Sequence, residues 1–414
     1  METVYSCLAG IDVHKKMLAV VVRREQNGKA EYESRKFGTT EREIRALAAW
    51  LQERQVREVV MESTALYWWP VWRGLEPHFT LHLCNPLQVR AVQGRKRDFK
   101  DATRLADRWS AGDLNESFVP NAEQRGWRSL TRMRVDLKDK IGMVRNQVEG
   151  LLERGGIKLT SVVSDPFGVS GWAMLKLIAA GETSVSALAA QARGKLRRKA
   201  DQLEEALAGK LDATLRLLLR QYMEQVELLR RHITQLEVAL AEAMKGQVVV
   251  LHRLMQVPGV DLCAAQELVA EIGSTAAAFP SASQFASWVG VCPGSKESAG
   301  ICYSNRSAKG NRYLRRLLCQ IAWASVRTRG TFFAGFFQRL RLRNGNKSAV
   351  WAVAHRIAKL IWMLLHDKVD YQEKGPTPLN PKTLVRKLKR LIEQFDLLNM
   401  DIKPLLGMSP AAPA

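Results

Sequence analysis

The sequence predicts an α/β fold over residues 1–120 and a mostly helical chain after it. Two observations carry this. Short apolar runs bounded by turn residues come first, in the order β-β-β-α-β-α-β-α; from Glu123 on, apolar residues step by three and four instead. Residues 5–13 and 17–24 form the first two strands, a hairpin closed at His14-Lys15-Lys16. Lys29–Phe37 is a third, more polar strand, as an edge position requires. Glu41–Arg54 has helical spacing through Ile44, Leu47, Ala48 and Leu51, and Arg57–Met61 is the fourth strand. Leu66–Leu75 is an aromatic helix (Tyr67, Trp68, Trp69, Trp72). Phe79–Leu83 is the fifth strand, followed by Asn85-Pro86 and a helix from about Leu87. This order is that of a ribonuclease-H-like fold.

Glu123–Gly155 reads as one long helix rich in bases. Its apolar residues Leu130, Met133, Leu137, Ile141, Val144, Val148 and Leu151 are spaced like a coiled-coil seam. Short helices fill Ser161–Ala190, and a second long amphipathic segment runs from about Ala200 to Lys245. The two long segments pair with each other or with a second subunit. Near Val248 a third region begins. There Leu254-Met255-Gln256-Val257-Pro258-Gly259-Val260, with a helix to Ile272, resembles half of a helix-hairpin-helix element, whose turn offers N–H groups to phosphate. A breaker-rich linker at Gly375-Pro376-Thr377-Pro378 precedes a basic helix, Lys382–Asn399, and a disordered tail from Gly407. The expected domains are therefore 1–120, 121–247, 248–370 and 371–414.

Lys and Arg outnumber Asp and Glu by 63 to 41, a net charge of +22, which favours a polyanionic partner through counterion release. No run of about 18 apolar residues and no signal peptide is read, so a cytoplasmic nucleic-acid protein is expected rather than a membrane one. The six cysteines lack any C-x-x-C pair, which argues against zinc and disulfides. Ser298–His366 contains no acid but thirteen Lys or Arg, among them Arg306, Lys309, Arg312, Arg315 and Arg316. Ordinary surfaces mix signs, so this stretch is expected to contact nucleic acid.

Four carboxylates stand out. Asp12 ends the first apolar run and Glu62 follows the fourth strand; Asp98 and Asp101 share one face of a helix turn. Carboxylate oxygens suit Mg²⁺, and such sites serve phosphodiester chemistry. Asp107 lies six after Asp101, turned away from that face. His14, beside Asp12, reads as structural or solvated. Pro293-Gly294-Ser295-Lys296-Glu297-Ser298-Ala299-Gly300 is a small-residue loop whose serines are candidate nucleophiles.

Gly10-Ile11-Asp12-Val13-His14-Lys15, Met61-Glu62-Ser63-Thr64, Gly94-Arg95-Lys96-Arg97-Asp98-Phe99-Lys100-Asp101-Ala102, Val257-Pro258-Gly259-Val260 and Glu297-Ser298-Ala299-Gly300 come in the order found in DEDD transposases of the insertion sequence 110 family, which the chain resembles over about residues 5–366. Trp288-Val289-Gly290 and Lys309-Gly310-Asn311-Arg312-Tyr313-Leu314-Arg315 are similar to its C-terminal domain. The resemblance implies a RuvC-like N-terminal domain, a coiled-coil middle and a C-terminal transposase domain. It implies Mg²⁺ on Asp12, Glu62, Asp98 and Asp101, and Ser298 rather than Ser295 as nucleophile. It also implies donor and target DNA chosen by a bridge RNA, and a homodimer assembling to a homotetramer. Four positions depart from the family pattern: Ala65 where Gly is common, Arg97 where Thr is frequent, and Ile301-Cys302 where bases are usual. Beside a serine recombinase, two readings stay open: a RuvC-like nuclease using water, and a non-catalytic nucleic-acid-binding protein.

Overall fold

In the computed structural model, residues 7–26, 28–63, 65–84, 98–294, 296–298, 301–304 and 306–376 are described, with Lys389 and Glu393; the side chains of Asp98, 296–298 and 301–304 are not. The expected helix from Leu87, the tail from Gly407 and, apart from Lys389 and Glu393, the helix Lys382–Asn399 lie outside the described residues. The chain divides into two compact units, Met1–Asn121 and Ala122–Ala414.

The first unit is a five-stranded mixed sheet with helices. Strands β1 (Cys7–Val13), β2 (Met17–Gln26) and β3 (Lys29–Gly38) are antiparallel neighbours. After α1 (Glu41–Glu53) come β4 (Glu58–Glu62), α2 (Trp68–Leu75), β5 (Thr80–Cys84) and α3 (Asp98–Ser110). The sheet order is β3-β2-β1-β4-β5, with β4 parallel to β1 and β5 parallel to β4. The polar β3 occupies an edge, where its outward face meets water, whereas β1 is buried along nearly its whole length. One core joins the sheet to α1 and α2 through Ile11, Val20, Leu47, Val59, Met61 and Val71. A smaller one joins the other face to α3 through Leu8, Val60, Leu105 and Ala106.

The second unit begins with α4 (Ala122–Arg154), then α5 (Leu159–Val162), α6 (Val169–Ala180), α7 (Val185–Ala189), α8 (Ala200–Ala206) and α9 (Ala213–Ala243). The long helices α4 and α9 lie antiparallel within the chain. Trp127 Nε1 donates to Ala243 O at 3.1 Å near one end, and Lys210 N donates to Gly155 O at 2.9 Å near the other. Val144, Val148 and Leu151 share a core with Leu215, Leu219, Met223 and Val226.

Two local expectations change here. The segment from Ala200 to Lys245 is broken at 207–212, where a Cβ on Gly209 would strike Gly155 O. The seam also fails in the first half of α4. Met133 is 44% exposed there, while Gln124, Arg125, Thr131 and Arg134 are buried.

The remaining elements are α10 (Val248–Met255), α11 (Leu262–Ile272), α12 (Ala282–Val289), β6 (Lys296–Ser298), β7 (Ile301–Ser304), α13 (Arg312–Arg327) and α14 (Phe332–His366). Gly345 (φ 74°) kinks α14. By length and composition α14 is apolar enough to cross a membrane, unlike the sequence reading. Its Val350, Val353, Ile357, Ile361 and Leu365 are buried, as in the core helix of a folded domain.

Candidate functional site

Two acids reach one edge of the sheet through strand parity. Along β1, Ala9, Ile11 and Val13 belong to the core with α1 and α2, whereas Leu8 packs with Leu105 and Ala106 of α3. Along β4, Val59 and Met61 belong to the first core and Val60 to the second. Successive strand residues point to opposite faces, so Asp12 and Glu62 share the α3 face. The parallel register pairs Ile11 with Met61. One residue further on, the two acids stand at the carboxyl ends of neighbouring strands.

Helix α3 meets that face at Gly10. A Cβ there would collide with Ala102 O and lie 3.1 Å from Ala106 N, so only glycine admits the helix backbone. Trp109 Nε1 donates to Glu58 Oε2 at 3.2 Å, fixing the helix direction against β4. From Ala102 back to Asp98 is about 6 Å along a helix. From Gly10 on to Asp12 is about 6.6 Å along a strand. The start of α3 thus stands level with the ends of β1 and β4, and Asp101 lies just before Ala102 on the same helix.

Asp12 is buried, and its Oδ2 lies 3.1 Å from His14 Nε2. Glu62 is half-buried. Asp101 Oδ1 accepts from Arg104 Nη1 at 2.9 Å. Among the described residues, no group of three or more His, Cys, Asp or Glu closes into a metal-holding cluster, and the Asp98 carboxylate lies outside them. The donor chemistry still suits a hard divalent cation. Asp107 is engaged elsewhere: its Oδ1 accepts from Tyr32 Oη at 2.7 Å and lies 3.3 Å from Arg23 Nε. Burial, with Glu116 and Glu62 nearby, pushes the Cys84 thiol up to about 11.

Just past Glu62, Ala65 has φ 47°, the left-handed region that favours glycine. The replacement of a family glycine noted above therefore carries backbone strain. Ala65→Gly is expected to stabilise the protein by about 0.5 kcal/mol, the strain relieved less the entropy glycine adds to the unfolded chain. A urea-unfolding midpoint unchanged or lowered would count against this.

The serine-bearing stretch, expected as a loop, is a hairpin at the backbone level. Ser298 pairs with Ile301 and Glu297 with Cys302, so the two residues that depart from the family pattern face the serine strand. The Ser298 side chain and the whole of Ser295 lie outside the described residues. Small residues hold the base of the hairpin. A Cβ on Gly294 would strike Arg306 O; one on Gly310 would strike Val289 O and come to 2.6 Å from Gly290 N. Arg315 ties the segments flanking the hairpin together. Its Nη1 donates to Gly290 O and to Ala308 O (2.8 Å), its Nη2 donates to Ser307 Oγ (3.2 Å), and its guanidinium lies over the Trp351 ring.

Asn311 caps α13, its Oδ1 accepting from Tyr313 N (3.0 Å) and Leu314 N (3.2 Å), while its Nδ2 donates to Glu271 Oε2 at 2.7 Å. Glu271 is buried and also takes two bonds from Arg132, at 2.7 and 2.9 Å. Beside it, Arg134 Nη1 donates to Gln266 Oε1 at 2.7 Å, and Glu267 Oε2 accepts from Arg316 Nη2 at 3.0 Å. Burial holds the Glu267 carboxyl above its usual range, with Arg316 and Arg134 opposing. Burial also lowers the Arg128 guanidinium to about 10.

Of the five cations read as nucleic-acid contacts, Arg306, Lys309 and Arg312 are exposed, whereas the Arg315 and Arg316 guanidiniums bind protein groups. Arg341, Arg343 and Lys347, around the Gly345 kink, are exposed as well. Sequence reasoning missed the ion-pair network of Arg132, Arg134, Glu267 and Glu271. Asn311 did carry a signal, an N-cap residue just before an apolar-periodic run.

Residues 251–337 match the family described as "Transposase IS116/IS110/IS902 family", and residues 9–156 match the DEDD-type IS110 family described as "Transposase". A Pseudomonas aeruginosa protein described as "Probable family 20 transposase" is 28% identical over 325 residues, which covers 76% of this chain and 85% of that protein. Both acids of the strand ends, both acids of α3 and the helices around Glu271 fall within the matched ranges.

Proposed function

Because the chain is a transposase of the IS110 family, we propose that it exchanges DNA strands through Ser298, assisted by a divalent-metal site on Asp12, Glu62, Asp98 and Asp101. One observation carries the reading most. Strand parity and the Gly10 contact bring Asp12 and Glu62 to the sheet edge where α3 begins. The sheet order β3-β2-β1-β4-β5 supports a RuvC-like first domain. The α4–α9 pair supports a coiled-coil-like middle of which at least one seam is intramolecular.

In this mechanism Ser298 Oγ attacks a backbone phosphorus. The Oγ–P bond forms, the bond from phosphorus to a deoxyribose oxygen breaks, and the serine proton passes to solvent or a neighbouring base while the released sugar oxygen takes one up. A second strand's hydroxyl then displaces the serine and restores the phosphodiester. Asp12, Glu62, Asp98 and Asp101 would hold Mg²⁺, which when bound offsets charge on the phosphate and leaving oxygen. Arg315 and the Gly294 and Gly310 contacts hold the base of the hairpin, which limits the positions Ser298 can sample. The exposed Arg306, Lys309 and Arg312 supply phosphate contacts. A bridge RNA that chooses donor and target, and a homodimer that assembles to a homotetramer, complete the proposal.

The test is incubation of the protein and co-expressed RNA with labelled donor and target DNA, with and without Mg²⁺, read on denaturing gels. A protein–DNA adduct is expected, and Ser298→Ala should lose it. Cut ends without an adduct would replace the proposal with a water-using nuclease. Salt-sensitive binding with no reaction would leave a nucleic-acid-binding protein.

A further inference from the structure

The connection from β4 into α2 exposes an unusual run of apolar side chains. Leu66 is 74% and Tyr67 40% exposed, and Trp68 and Trp69 are half-buried, so four large apolar residues in succession meet solvent. Burying a side chain of this size is ordinarily worth about 1.5–3 kcal/mol, and the neighbouring Trp72 and Leu75 of the same helix are buried. Contiguous exposed apolar surface of this kind marks binding sites.

The run is also built to be rigid. Trp72 is anchored in the core, with its Nε1 donating to Glu76 Oε2 at 3.0 Å. Trp68 meets Trp72 edge-on at 5.8 Å, and Trp69 stacks on Trp68 at 5.6 Å and 27°. The aromatic ladder therefore climbs from the core to the surface, with Tyr67 beside it. Among the described residues, the Tyr67 side chain makes no hydrogen bond and no ring contact.

The run follows the carboxyl end of β4 on the α2 side of the sheet, while Asp12 and Glu62 close the same strand ends on the α3 side. Tyr67 follows Glu62 by five residues, so even fully extended the chain keeps the two within about 17 Å. That is about five stacked nucleotide steps. Lys15 and Lys16 are exposed in the turn at the carboxyl end of β1, the end that carries Asp12, and Arg73 follows on α2. An exposed aromatic side chain with cations on the same unit matches a nucleotide strand, whose phosphates take the charge and whose bases take the ring.

We propose that Tyr67, at the exposed end of this aromatic run, forms a stacking shelf for an unpaired nucleobase of the DNA strand lying at the Asp12–Glu62 edge. This rests on the reading of that edge as the place where the DNA backbone is handled. The shelf holds a base after it leaves the duplex, and so keeps the neighbouring phosphate from drifting along the acid edge. Its requirement is a base free of its partner, not a particular sequence.

The experiment uses full-length protein in EDTA, where binding is separated from cleavage. Probes are a 20-mer single-stranded DNA with 2-aminopurine at successive positions, the same strand in a duplex, and an RNA 20-mer of equal sequence. Quenching at one or two adjacent positions of the single-stranded DNA is expected. Tyr67→Ala should weaken single-stranded binding about tenfold and remove the quench, leave duplex binding unchanged, and be rescued by Tyr67→Phe. Trp69→Ala should act in the same direction, provided its thermal melt matches wild type.

Equal loss on duplex and single strand would overturn the shelf, as would unaltered binding by Tyr67→Ala or quenching of RNA alone. So would self-association that Tyr67→Ala abolishes without affecting DNA. Because the quench needs no chemistry, a protein that stacks the base yet forms no adduct would sink the recombinase reading and spare the shelf. Adduct formation with no quench would do the reverse.

Discussion

Asp12→Asn is expected to lower Mg²⁺-dependent strand exchange by about 10²–10³-fold, the scale of losing one preorganised electrostatic stabiliser. The change removes charge and keeps shape. Asp12 is 9% exposed, and its Oδ2 lies 3.1 Å from His14 Nε2, a contact that an amide can partly retain. The thermal midpoint should therefore stay level or rise slightly, since a buried charge is replaced by a neutral group. Glu62→Gln is expected to behave the same way. The check is single-turnover exchange across a Mg²⁺ titration beside a melting curve. Retained activity at normal stability would remove Asp12 from the metal site; lost activity with lost stability would make it structural.

Gly10→Val should have the largest effect on stability. Its Cβ would collide with the Ala102 carbonyl oxygen, a backbone atom that no rotamer change can move. Helix α3 must lift from β1, at about 3 kcal/mol for overpacking of a close contact. Activity should fall further than stability alone accounts for, because α3 carries Asp98 and Asp101. Gly28→Ala makes the comparison clean. Gly28 has φ +72° but nothing within 4 Å of an added Cβ, so only about 1 kcal/mol of backbone strain is expected there. Equal losses in chemical denaturation at the two sites would show that the α3 approach is not tight.

Much of this was legible in the sequence because strands announce themselves locally. The five strands of the first unit follow from alternation and turn residues, and the polar Lys29–Phe37 run read correctly as an edge. The two acids at strand ends were legible too, since each closes an apolar run. What the sequence hid depends on distant partners. Arg134 sits at a helix position that periodicity assigns to solvent, and it is buried because Gln266 and Glu267 arrive from 132 and 133 residues away. The break near Gly209 has the same origin in Gly155. The serine hairpin was read as a loop because strands of three and four residues are too short to show alternation. That Arg315 donates to carbonyl groups is equally hidden, because nothing local distinguishes such an arginine.

The buried ion pairs of α4 bear on how such a gene can be shuffled. The first family match ends at residue 156, yet the compact unit changes at 121, so about the last quarter of the matched segment folds with the other unit. A chimaera of two relatives joined near residue 121 inherits Arg132 and Arg134 together with Glu271, Gln266 and Glu267. One joined near residue 156 takes each half of that network from a different ancestor, and a mismatched half leaves a charge buried without its counterpart. Viable crossovers between diverged copies should therefore cluster at the start of the long helix and be scarce at its end.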